Sequence, residues 1–268
     1  MYLSDLLVAS KKKRGAEGSV VQVTPQSAGW EYVGFEVLRL DAGQSAQRSS
    51  YGEEVCLVTL SGRCAISTDG EEWRDVGGRE SVFDGAPHAL YLPPGKEYRI
   101  EATTDMEIAV CSAPARSGAD PLMVRPEDIE VEIRGKGNME RRIHPILMED
   151  RPAERLLVVE VLTPGGHWSS YPPHKHDRED PPNERYLEET YYHRIRPERG
   201  FSMQRVYTED RSLDETLTFR DGDVVLVPKG YHVVSAPPGY DLYYLNVMAG
   251  PVREWKIKND PDHEWLLE

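Results

Sequence analysis

The sequence predicts an all-β protein made of two copies of one sandwich or barrel domain. Three observations carry that expectation. Glycine (22) and proline (20) are spread through all 268 residues. Short apolar runs lie between them, where sustained 3.6-residue apolar periodicity is hard to find. Two blocks of sequence also recur in the same order in the two halves, and short runs broken by turn signals mark sandwiches and barrels.

In the first half the runs that read as strands are Tyr32–Leu40, Val55–Leu60, Cys64–Ser67, Ala89–Leu92, Tyr98–Ala102 and Met106–Ser112. Ser61-Gly62, Asp69-Gly70, Gly77-Gly78 and Pro93-Pro94-Gly95 supply turns between them. Ala113–Gly118 leaves the pattern, so a linker is expected near Ser112–Asp128, with one helical turn at Pro126-Glu127-Asp128. That divides the chain into residues 1–120 and 121–268. The second half offers Arg155–Thr163, Thr190–Ile195, Phe201–Thr208, Glu215–Phe219, Val224–Val227, His232–Ala236 and Leu242–Met248, with turns at Asp221-Gly222-Asp223 and Pro237-Pro238-Gly239. Arg178–Arg185 is a charged, proline-bearing insertion, a kind of loop that tends to carry function.

The recurrence is read by laying Leu90–Glu97 over Val225–His232, and Glu53–Val58 over Glu188–His193. In that register Glu97 stands where His232 does. Gln44–Ser50 contains no histidine to match the second half.

The formal charge of −14 and pI near 5.1 argue against nucleic acid as a partner, because phosphate binding needs clustered cations. Lys11–Arg14 is the one basic block and reads as a solvated terminal loop. Cys56, Cys64 and Cys111 form no CxxC, which suits buried thiols of a reduced, cytoplasmic protein. No window approaches the apolar length of a membrane span.

The chemistry gathers around Gly165–Asp177. His174 and His176 form a His-x-His pair behind Pro172-Pro173. On a strand they leave one face together, and Lys175 points the other way. Two converging imidazoles, a carboxylate and His232 after Pro228-Lys229-Gly230 suit one divalent ion, Zn²⁺ or Mn²⁺ ahead of Fe²⁺ or Ni²⁺. Glu189 is the preferred carboxylate because it opens a strand-like run, with Glu179 and Glu184 of the insertion as alternatives. His88, His144, His167 and His263 read as structural or surface residues.

The order Gly, His-x-His, Glu and then Gly222-(x)5-Pro228-x-Gly230-x-His232 resembles the two motifs of the cupin superfamily. It departs from them in the 12 residues between His176 and Glu189 and in a final histidine one residue early. The strings Trp168–Asp177, Tyr186–His193, Gln204–Thr208, Asp223–His232 and Tyr240–Met248, with Gly78–Phe83 and Ala89–Gly95, resemble the 5-deoxy-glucuronate isomerase family of myo-inositol catabolism over nearly the whole chain. The resemblance implies two tandem cupin (double-stranded β-helix, jelly-roll) domains, with the metal in the C-terminal one. It implies an aldose–ketose isomerase converting 5-deoxy-D-glucuronate to 5-dehydro-2-deoxy-D-gluconate. Such a reaction removes an α-proton and passes through an enediolate, which a divalent metal stabilises as a Lewis acid.

For the acid–base group the candidates are His193, preferred because an unperturbed imidazole titrates near neutral pH, together with Tyr191, Tyr243 and Glu188. Glu188 points away from Glu189 on a regular strand. The substrate's carboxylate needs a local cation on so acidic a protein. Arg205, Lys175, Arg185 and Arg194 are nearest in sequence, and for Arg205 a surface salt bridge is the plainer reading. Competing functions are the related uronate ketol-isomerase of pectin breakdown, a cupin dioxygenase and a non-catalytic sugar-binding cupin. The expected partner is a small sugar acid, without nucleic acid or membrane, and assembly into a homo-oligomer is left open.

Overall fold

A computed structural model describes residues 5–11 and 14–268; Lys12 and Lys13 of the basic run lie outside the described residues. The strands, in chain order, are β1 Leu7–Val8, β2 Ser19–Val23, β3 Gly34–Leu40, β4 Ser45–Ser49, β5 Glu53–Ser61, β6 Arg63–Thr68, β7 Glu71–Gly77, β8 Ala89–Leu92, β9 Glu97–Ala102, β10 Met106–Pro114 and β11 Leu122–Val124. They continue as β12 Glu132–Arg134, β13 Arg141–Leu147, β14 Leu157–Thr163, β15 Trp168–Lys175, β16 Glu188–Arg196, β17 Ser202–Tyr207, β18 Asp214–Phe219, β19 Val224–Val227, β20 Tyr231–Ser235, β21 Asp241–Ala249 and β22 Lys258–Asn259. Helix is confined to short turns, including the expected one at Pro126–Asp128. Among the described residues no helix is long and apolar enough to cross a membrane. The protein is all-β.

Two compact units result, and neither is contiguous. One gathers Lys11–Glu130 and Pro145–Val158; the other gathers Met1–Ser10, Val131–His144 and Val159–Glu268. A single cut at 120/121 therefore leaves residues 1–10, 121–130 and 145–158 on the wrong side of it.

The sheet orders make the duplication plain. In the first unit one sheet runs β11-β8-β5-β10-β3-β2 and the other β4-β9-β6-β7. In the second they run β1-β19-β16-β21-β14-β13-β12 and β18-β17-β20-β15-β22. Strand for strand, β5, β8, β9 and β10 have the places that β16, β19, β20 and β21 have in the second unit. The strands unforeseen in the sequence include the polar or proline-bearing β4, β7 and β13. Sheet pairing holds them in place against weak intrinsic strand preference.

The interior of the first unit is an apolar cluster drawn from both of its sheets, including Leu38, Val55, Leu57, Ile66, Leu90, Leu92, Tyr98, Ile100 and Ile108. Its pattern corrects the expected overlay by one residue. Val55 stands opposite Leu92, and Glu189 opposite Val227. With Leu92 matched to Val227, the counterpart of Glu189 is Val55 and not Glu54. After the Gly95 and Gly230 turns the overlay slips again. Glu97 is exposed and Tyr98 faces the core, so Tyr98, not Glu97, shares the inward orientation of His232. Because strand side chains alternate, one residue of slip reverses every face.

Candidate metal centre

All the expected ligands belong to the second unit. Glu189 leaves β16 on the face it shares with Tyr191 and His193, and across the sheet these pair with Met248, Asn246 and Tyr244 of β21. His232 leaves β20 directly opposite His174 of β15. An irregularity sets that pairing. Between the Ser169–Val234 and His174–His232 pairs, β15 contains residues 170–173 while β20 contains only Val233. Pro172 and Pro173 have no N–H to give to a regular ladder, so the strand bulges there. Ser170, within the bulge, takes a left-handed φ of 51°. The bulge re-aims the end of the strand so that His174 meets His232.

Gly230 supports the other side of this pair. Its φ is +90°, and a Cβ added there would come within 2.6 Å of the Tyr207 carbonyl oxygen. Its N–H donates to Asp177 Oδ2 at 2.8 Å. Only glycine fits that turn without strain, and the turn delivers His232.

The centre itself is His176, Glu189 and His232, whose ligand atoms all lie within 4.8 Å of one another. His176 Nδ1 lies 2.9 Å from the Leu187 carbonyl, and His232 Nδ1 lies 3.2 Å from that of Gly230. A carbonyl oxygen only accepts, so in both rings Nδ1 carries the proton and Nε2 presents its lone pair. Both Nε2 atoms then face one carboxylate oxygen, Glu189 Oε2, at 3.0 and 3.2 Å. Three electron pairs converge on a small buried space. Protonating His176 satisfies one contact and still leaves His232 Nε2, which is fully enclosed and has no hydrogen-bond partner. A divalent cation answers all three, and backbone carbonyls that fix the tautomer are the usual outer support of such ligands. His174 stands beside this triad, its ring centroid 4.7 Å from that of His232 and 6.4 Å from that of His176.

The electrostatics follow from burial and convergence. Burial alone raises the Glu189 carboxyl, but the two imidazoles outweigh it and hold its pKa at about 2. His176 is lowered by burial and raised further by Glu189, and the net direction is up. For His174, burial followed by the repulsion of His232 and His176 pushes the pKa well down.

Several of the sequence expectations are corrected here. Tyr243 is turned to the opposite face, where its hydroxyl donates to Glu160 Oε2 at 2.8 Å. Glu160 also receives His144 at 2.7 Å. Its neighbour Tyr244 is the residue on the ligand face, with its ring 5.0 Å from Tyr191 and 6.1 Å from His193. Only the β16–β21 register decides between adjacent tyrosines.

His193 is fully buried, stacked on Phe219 at 3.7 Å and bonded through Nε2 to Gln204. Burial drives its pKa down to about 3, so it is neutral and too weakly basic for the role expected of an unperturbed imidazole. Tyr191 remains on the ligand face, its hydroxyl 2.9 Å from Ser170 Oγ and its ring 5.6 Å from that of His232.

The expected carboxylate-binding cations are already paired. Lys175 is fully buried and pointed away from the histidines, bonding Asp177 at 2.6 Å and both oxygens of Glu184 at 3.0 and 2.9 Å. Arg205 holds Asp214 through two hydrogen bonds of 2.8 Å. Arg185 binds Glu254 and Glu179, and Arg194 binds Asp221. The same pairings remove Glu179 and Glu184 from the ligand alternatives, since each is committed to a cation. Phe219, Gln204, Tyr244 and the serines of the β15 bulge were invisible to the sequence reading, because they come from strands that only folding brings together.

Comparison with known proteins adds the lineage. Residues 6–266 match the KduI/IolB family. The chain belongs to that family. It is 57% identical over 262 residues to a 5-deoxy-glucuronate isomerase of Geobacillus thermodenitrificans, covering 97% of this chain and 96% of the relative. Among solved structures, an IolB-like protein from Salmonella typhimurium superposes with a TM-score of 0.95 at 45% identity, covering 98% and 99% of the two chains. An oxalate decarboxylase of Lactobacillus farciminis superposes with a TM-score of 0.69 at 13% identity over 97% and 89%, which shows the shared two-cupin fold alone.

Proposed function

We propose that this protein is a metal-dependent aldose–ketose isomerase that converts 5-deoxy-D-glucuronate to 5-dehydro-2-deoxy-D-gluconate in the cytoplasm. The observation that carries this reading is the convergence of His176 Nε2, His232 Nε2 and Glu189 Oε2 on one enclosed point. The activity named for relatives as similar as 57% supports the substrate. Three buried free thiols suit a reducing compartment.

His176, Glu189 and His232, with His174 as fourth ligand, would hold the ion, and Zn²⁺ or Mn²⁺ suits that donor set best. When bound, the ion supplies a Lewis acid that offsets the negative charge of an enediolate, a contribution of several kcal/mol. The protein's own groups bind, orient and enclose the substrate. Burial keeps Tyr191 and Tyr244 protonated, since both hydroxyls are raised above the ordinary phenol pKa. Tyr191 donates a hydrogen bond to a substrate oxygen, and Ser170 orients it. Ser169 and Ser170 do the same for Tyr244. His193 and Phe219, stacked face to face, form a dry wall behind these groups rather than a base.

The test is turnover of the sugar acid by protein stripped with a chelator and then reloaded with Zn²⁺ or Mn²⁺. Activity should vanish on stripping and return on reloading. Metal-replete protein that isomerises only the deoxy-hexosulose uronate of pectin breakdown, or neither sugar, overturns the assignment.

A further inference from the structure

A sugar acid carries its carboxylate at the far end of the carbon chain from the reacting carbonyl, so a cation is needed near the metal but not on it. The cations nearest in sequence are neutralised by their own carboxylates. Arg141, at the start of β13, is not. Among the described residues it has no carboxylate partner, and its Nη1 donates to the Met139 carbonyl at 3.1 Å. Its cross-strand neighbour Arg134 is paired with Glu132 at 2.6 Å and lies over Trp255, so the Arg134 charge is compensated and that of Arg141 is not.

Its location is specific. The turn Gly137–Met139 that joins β12 to β13 packs against β15, and the Glu140 carbonyl meets His167 Nδ1 at 2.8 Å. The start of β15 carries Ser169 and Ser170, which hold the hydroxyls of Tyr244 and Tyr191. Arg141 interacts electrostatically with these two tyrosines, and burial lowers its pKa, as befits a guanidinium partly withdrawn from water without a counter-ion. Tyr191 in turn touches His232 ring to ring.

Resting on the isomerase reading, we infer that Arg141 binds the carboxylate of the sugar acid and is the residue that selects uronates over neutral sugars. Its planar fork presents paired N–H donors to a carboxylate. Tyr191 interacts with Arg141 and meets the His232 ring at 5.6 Å, so a short chain held at its acid end by Arg141 presents its carbonyl end toward the histidines.

Two measurements on metal-loaded protein test this. Calorimetry compares D-glucuronate with D-glucose binding in the wild type, Arg141→Met and the conservative Arg141→Lys. Kinetics compares 5-deoxy-D-glucuronate with neutral 5-deoxy-D-glucose. Arg141→Met should weaken glucuronate binding by about tenfold or more, the loss expected when a charge-assisted pair is removed. Glucose binding and metal content should stay unchanged, and KM for the uronate should rise far more than kcat falls. Arg141→Lys should fall between the two. Equal loss for both sugars, no loss for either, or a wild type that does not discriminate between them overturns the inference. A wild type that binds glucuronate through Arg141 yet turns over no uronate sinks the isomerase reading and leaves this one standing.

Discussion

The two units share a strand order and differ in what fills them. Where the first unit has Val55 opposite Leu92 and an inward Tyr98, the second has Glu189 opposite Val227 and an inward His232. Where β4 sets Arg48 opposite Tyr98, the bulged β15 sets His174 opposite His232. One interior is apolar and gains stability from every side chain in it. The other gathers groups that are costly to bury unless something binds them. The lesson is that one architecture serves as a core or as a site according to a few inward positions. A scaffold with enough apolar surface elsewhere tolerates the second choice.

The sharpest way to break the comparison is to give the second unit the residue of the first. Glu189→Val should abolish metal binding and lower turnover by about a thousandfold or more. The metal-free protein should melt no lower than the wild type, because an apolar group replaces a buried charge. Metal analysis and a thermal scan read both effects, and a full metal complement in the variant removes Glu189 from the ligand set.

The reverse exchange, Val55→Glu, puts a lone carboxylate into an apolar core without partners. Denaturant unfolding should show a loss on the order of several kcal/mol while the second unit keeps its metal. An unchanged midpoint would mean that the first unit's interior is more polar than its packing indicates.

Lys175 sharpens the contrast within the second unit. Lys175→Met removes the buried cation that Glu184 shares with Asp177 and should cost roughly 3–5 kcal/mol, and the double variant Lys175→Met/Glu184→Leu should recover part of it. Additive losses in the double-mutant cycle would show that the pair is not coupled.

Glu54 makes the opposite kind of contribution in the first unit. It is fully buried and accepts the N–H groups of Glu154, Arg155 and Leu156 and the hydroxyl of Tyr91. Glu54→Ala should destabilise by about 2–4 kcal/mol through those orphaned donors. Metal content should stay the same, and a fall in it would tie Glu54 to the site.

The smallest expected effect is in pH. Glu189 and His193 both have pKa values depressed by folding, to about 2 and about 3. The unfolded chain therefore binds more protons in acid, and stability contributed by each group is complete above its unfolded pKa, near 4.3 for Glu and 6.5 for His. It is lost as the pH falls toward the folded value. His193→Asn should flatten the stability–pH curve of metal-free protein between about pH 6.5 and 3, and a curve that superposes on the wild type would show His193 to be unperturbed.

The sequence by itself determined the all-β class and the duplication, and it singled out His174, His176, Glu189 and His232, of which folding brings the ligand atoms of His176, Glu189 and His232 together. These are carried by local signals: turn residues, short apolar runs and a His-x-His spacing that alternation turns into a shared face. It also determined that Lys175 points away from them. What only the tertiary structure decided is whatever depends on which strand lies beside which. Tyr244 displaced Tyr243 because the β16–β21 register selects one face. His193 lost its basicity to burial against Phe219, contributed by a strand with no sequence tie to it. Arg205 and Lys175 were claimed by Asp214 and Glu184, while Arg141, from a hairpin far upstream in the chain, has no carboxylate partner among the described residues. The physical reason is common to all of these. A side chain's chemistry is set by its burial and its partners, and in a sheet protein those come from cross-strand neighbours distant in sequence.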